Sequence, residues 1–210
     1  MSRTTLMCFL TFTIATPAIV PTIGAQAGHE HTSTPMRKNS DRPAEPMILQ
    51  ENDGDHLVHT SGPLKGLPFT VKVDGQFGNA QDFFVFTEAL SPGQTIPFHQ
   101  HHNAEEVLIF DEDGASVILG KKHALAGAHA MIFIPRNTWI SATNTSTHVI
   151  HSTALFSRLG FDTYMRSIGA KPGEAAPEVS PKDLPRLRAL GHATYWDMSK
   201  GPYPPGVAHP

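Results

Sequence analysis

Short β-rich apolar runs, punctuated by turn signals, organise the middle of this 210-residue chain. Residues 67–73 run into Asp74-Gly75, 82–88 end at Ser91-Pro92-Gly93, and 106–110 end at Asp111-Glu112-Asp113-Gly114. Residues 115–119 resume at once. Residues 130–134 stop at Pro135-Arg136-Asn137, 139–143 stop at Asn144-Thr145-Ser146, and 148–156 form the last run. Side chains two apart on a strand share a face, so each run offers one face to a core. Strands at this spacing, with no helix between them, predict an all-β antiparallel sandwich or barrel.

Helical periodicity comes only afterwards. Phe161, Tyr164, Met165 and Ile168 have the spacing of one helix face, and Gly169 supplies the stop. A second helix opens at Ser180-Pro181, with a cap residue and proline at the first helical position, and ends before Gly191. Its interior Pro185 leaves the start open. Both helices are expected to pack on the outside of the barrel.

The ends of the chain change the picture of where it works. Arg3, an apolar stretch over 6–20 and Ala25-Gln26-Ala27 read as a signal peptide over 1–27, cleaved after Ala27. The apolar part is too short and too broken by Thr and Pro17 to span a membrane. The expected localisation is therefore exported, periplasmic or secreted. The only cysteine, Cys8, falls in the signal, so the mature domain relies on its core rather than on disulfides. Residues 28–46 have the composition of a disordered leader, in which His29 and His31 read as an ordinary polar tail. Residues 199–210 form a Pro-rich tail, leaving a domain over 47–198. Arg3 is the one charge within 1–27, so its removal takes the net charge from −3 to −4. That balance argues against nucleic acid and against stable membrane association.

The candidate chemistry lies at residues 93–106. His99 and His101 are two apart in a strand-like run and can converge on one point, while Gln100 faces away. Glu106 abuts the next apolar run; Glu105 is the alternative, since strand neighbours face opposite ways. Two neutral imidazoles and one carboxylate make a metal site with open positions, the arrangement of non-haem iron chemistry. His102 reads as a rim histidine unless a bulge turns it inward.

The same residues resemble the first motif of the cupins: Gly93, five residues, His99-Gln100-His101, four residues, Glu106, then seven residues to Gly114. The resemblance implies a cupin-type double-stranded β-helix, a jelly-roll barrel, with a metal near its centre and a short C-terminal helical segment. In the second motif Pro135 and Asn144 fall where expected. His129 and Asn137 stand at its two Gly positions, and Ile140 at its His position. The family's fourth ligand is therefore absent from its own place; one of His148 and His151 on the last strand is expected to point inward, as a hydrogen-bonded wall residue or, alternatively, as the replacement ligand. His123 and His129 read as turn or rim residues. Phe98 and Trp139, flanking the two motifs, are candidate pocket walls. Cupins also pair through edge strands, and residues 67–73 offer such an edge for a homodimer.

The C-terminal helices are similar to those of single-domain cupins of the quercetin dioxygenase-like group, which implies an oxygenase for a small phenolic or enolic molecule. His99, His101 and Glu106 would hold one divalent ion (Fe, Mn, Co, Ni, Cu or Zn). An unbound oxygen of Glu106 would serve as catalytic base. A non-catalytic binding cupin, and a lyase or isomerase acting on a sugar acid, are the rival expectations.

Overall fold

The structure, a computed structural model, describes residues 43–175, 177 and 179–210. The signal peptide and most of the leader lie outside the described residues.

Ten strands precede the first helix: β1 (Asp55–His59), β2 (Pro68–Val73), β3 (Phe84–Leu90), β4 (Thr95–His101), β5 (Glu106–Phe110), β6 (Ala115–Leu119), β7 (Lys122–Ala126), β8 (Met131–Ile134), β9 (Ile140–Asn144) and β10 (Ile150–Phe156). Then come α1 (Phe161–Ser167), β11 (Gly169–Ala170), α2 (Leu184–Leu190), β12 (Ala193–Tyr195) and a 3-10 turn at Met198–Lys200. All pairings are antiparallel, in two sheets ordered β11-β1-β2-β3-β10-β5-β8 and β12-β4-β9-β6-β7. Within them β3-β10-β5-β8 faces β4-β9-β6-β7, and the chain crosses between the two sheets from β3 to β10. That strand order is an eight-stranded jelly roll.

Alternation builds the core. Phe84, Phe86 and Leu90 of β3, Leu108 and Phe110 of β5, and Ile150, Ala154 and Phe156 of β10 point inward against Ile96, Val117, Ile140 and Ala142 of the other sheet. Phe84 stacks on Phe86 and Phe156 at 5.2 and 5.4 Å, and Phe156 meets Phe161 at 5.1 Å. Each such buried ring contributes about 1.5–3 kcal/mol. Asn144 is fully buried in this core. Its amide donates to the Leu90 and His148 carbonyls, and its oxygen accepts from the Ser146 N–H, so the β9–β10 turn is pinned from inside.

Three sequence expectations change. Residues 67–73 are not an edge, because β2 is paired on both sides by β1 and β3. The second helix starts at Leu184 rather than near Ser180, which puts Pro185 in the first turn, where its missing N–H costs nothing. The first helix is not an outer packing element: Phe161, Tyr164 and Met165 are buried and close one end of the barrel. Gly160 admits the chain to α1 at φ 132°, and a Cβ there would come within 2.8 Å of Asn103 and His192.

Arg166 fixes α1 in place. Its guanidinium donates to both carboxylate oxygens of Asp74, at 2.5 and 3.1 Å, and to Asp55 at 2.6 Å. Asp74 is fully buried and also accepts the Gln76 and Phe77 N–H groups, so the Asp74-Gly75 turn doubles as the anchor of the helix. The Pro-rich tail returns over the outer face of the second sheet. Pro204 and Val207 are buried there, and the Ala208 N–H donates to the Gly120 carbonyl at 2.7 Å.

Candidate metal centre

His99, His101 and Glu106 meet inside the barrel, each at most 5 % exposed, with one ligand atom from each within 4.8 Å of the others. β4 carries the two histidines inward and β5 brings Glu106 from the other sheet, while Glu105 is exposed. The loop between them therefore spans the two layers, which is why the spacing His-x-His…Glu suffices to build the cluster.

The donor atoms are set for a cation. The Pro97 carbonyl can only accept, so His99 donates to it from Nδ1 at 2.8 Å and keeps a lone pair on Nε2. His101 Nε2 and Glu106 Oε2 are 3.4 Å apart, yet both are buried without a hydrogen bond. Orphaned buried polar atoms cost about 1–3 kcal/mol each. A divalent ion between them satisfies both, so the residues fit the group their chemistry implies. Burial is the main cause of every pKa shift here: it lowers His99 to about 4 and His101 to about 3, and raises Glu106 to about 7. The imidazoles are therefore neutral ligands at neutral pH, and the carboxylate lacks a compensating charge.

The second motif explains itself in this geometry. His129 and Asn137, at its two Gly positions, both have φ 59°, in the left-handed region that glycine favours. Ile140 pairs with His99 across β4–β9, is 1 % exposed and lines the pocket beside the triad. The place of a fourth ligand is thus filled by hydrocarbon.

The replacement ligands foreseen on the sequence do not serve. His151 alternates outward from Ile150 and Ser152 and is bound to Glu112 at 2.8 Å. His148 is exposed beside Asp113, so neither histidine of the last run points inward. His102 is exposed on the rim, its ring held by Asn137 and Thr194. His129 lies exposed in a turn, as expected, whereas His123, also exposed, sits within β7 bound to Ser116. The two candidate wall residues also stand elsewhere. Phe98 faces away from His99 and packs under Tyr203 and Val207, and Trp139 packs on Trp196 in the same outer cluster.

Other residues shape the pocket. Phe86, Phe156, Phe161, Tyr164, Tyr195 and Met165 wall it. His101 is wedged edge-on against Phe156 and Phe161, with ring centres at 4.9 and 4.4 Å. His59 and Glu88 stand across from the triad, nearly buried, with His59 Nε2 3.6 Å from Glu88 Oε2, too far for a hydrogen bond. Glu88 was legible in principle: Phe84, Phe86 and Leu90 share its inward register. A carboxylate in that register needs a reason to be there.

No protein-family model matches the chain, and no curated protein matches it. Solved structures do. A predicted oxalate decarboxylase from Thermotoga maritima is 14% identical over 54% of this chain and 100% of that chain, with a TM-score of 0.47. The polyketide cyclase RemF from Streptomyces resistomycificus is 18% identical over 53% and 79%, with a TM-score of 0.46. KdgF from Halomonas sp. is 12% identical over 44% and 80%, with a TM-score of 0.39. The jelly roll is read from the chain's own strand order. At these identities and TM-scores the likenesses assign no activity.

Proposed function

We propose that the chain is an exported, metal-dependent cupin oxygenase acting on a small phenolic or enolic molecule. One observation carries the reading: two orphaned buried ligand atoms, His101 Nε2 and Glu106 Oε2, stand 3.4 Å apart, and Glu106 and His99 line a pocket walled by aromatic rings. A divalent ion held by His99, His101 and Glu106 would supply open positions for an oxygen-donor substrate and for O₂. The chain's own share is positional. Phe156, Phe161 and Tyr195 line the pocket with aromatic rings, and the hydrocarbon of Ile140 leaves the coordination sphere open.

A second reading, lyase or isomerase chemistry, is favoured by the His59–Glu88 pair, which offers proton donor and acceptor groups that oxygen chemistry does not need. Aerobic and anaerobic turnover of a panel of catechols, flavonols and enolic acids by the metal-loaded protein separates the two. O₂ consumption matched to product is the expected result. Turnover undiminished without O₂ selects the second reading, and absence of bound divalent metal removes both.

Export completes the proposal, resting on the signal pattern ending at Ala25-Gln26-Ala27. Intact mass of the chain recovered from outside the cytoplasm should correspond to a start at Gly28; a start at Met1 contradicts it.

A further inference from the structure

Arg188 lines the pocket, and among the described residues it has no acidic partner. It comes from the last turn of α2, lines the pocket next to Tyr195, and lies with its guanidinium carbon 4.1 Å from the centre of the Tyr195 ring. Its Nε–H is shut off from water and has no acceptor. Among the described residues no carboxylate pairs with it. A guanidinium is a rigid fork suited to two planar oxygens, and stacking on a ring holds that fork in one orientation. Here the fork is held and the oxygens are missing.

The same Tyr195 ring lies nearly parallel to the His99 ring at 5.2 Å. Guanidinium and metal-site imidazole therefore stand one aromatic ring apart. A molecule that reaches from the triad to Arg188 must be small, must pass the edge of the Tyr195 ring that stands between them, and must be negatively charged at its outer end. Charge agrees with shape. With a divalent ion in the triad, the ion and Arg188 outweigh Glu106 and Glu88 by one positive charge.

We propose that the substrate is a small carboxylic acid carrying a phenol or enol at its other end, with its carboxylate held by Arg188. The phenolic end rests on the triad being the metal centre; the carboxylate contact does not require it.

The probe is 4-hydroxybenzoate, with its methyl ester and phenol as uncharged controls, titrated calorimetrically into metal-free and metal-loaded protein. A charge-assisted bidentate contact predicts that the acid binds about tenfold to a hundredfold tighter than the ester. Arg188→Met should abolish that preference and leave metal content unchanged, and Arg188→Lys should retain part of it. α2 has no fully buried residue, so both variants are expected to fold, which their melting temperatures check. Equal affinity for acid and ester, no binding of the acid to either form, or a preference surviving in Arg188→Met overturns the assignment. A preference for the acid in a protein that loads no metal supports Arg188 and removes the metal reading instead.

Discussion

Alanine in place of His101 should strip the protein of its divalent metal, from about one ion per chain to less than a tenth, measured by elemental analysis after dialysis. Among the described residues only His99, His101 and Glu106 converge closely enough to hold one ion, since Ile140 fills the fourth place and His102, His148 and His151 face solvent. Removing even an outer partner of a metal ligand typically costs 10- to 100-fold in affinity, so loss of one ligand in three should exceed that. A stability readout separates this loss from damage to the core, since His101 also packs against Phe156 and Phe161. Metal at a hundred times its dissociation constant stabilises a folded protein by about 2.7 kcal/mol, which here is roughly 5–10 °C in melting temperature. Wild type should show that increment on adding metal and His101→Ala should not, whatever the cavity does to both baselines. An intact increment in the variant would mean that the ion sits elsewhere.

Acidity should weaken metal binding about tenfold per pH unit below 7, through a single proton on Glu106. Burial holds this carboxyl at about 7 in the metal-free protein, so below that pH the ion must displace a proton from it. The histidines do the reverse of their usual part. Burial puts His99 at about 4 and His101 at about 3, so they stay neutral where free imidazoles would already be charged. Calorimetry in buffers of different ionisation enthalpy should count one proton released near pH 5.5. Release of two or more would mean that the imidazoles titrate normally and that the site is wet.

Much of this was legible in the chain because local pattern and global fold agree. Residues 106–110 and 115–119 are short apolar runs on either side of Asp111-Glu112-Asp113-Gly114, and they are β5 and β6 to the residue. The triad was legible for the same reason, since period two places His99 and His101 together and Glu106 opens the next strand. What failed depended on partners distant in sequence. β7 is exposed at four of five positions, so no alternation marks it, and β12 exists because it pairs with β4. Alternation alone puts Phe98 on the face opposite His99. Only the return of Tyr203 and Val207 explains why it is buried there. His59, Glu88 and Arg188 reach the pocket from β1, β3 and α2, and no spacing in the sequence joins them.

X-ray absorption at the metal edge of the protein as purified tests the central claim most directly. The account predicts a nitrogen and oxygen shell with the multiple-scattering signature of two imidazoles, reduced to one in His101→Ala. A spectrum without two imidazoles, or a protein that carries no divalent metal, contradicts it.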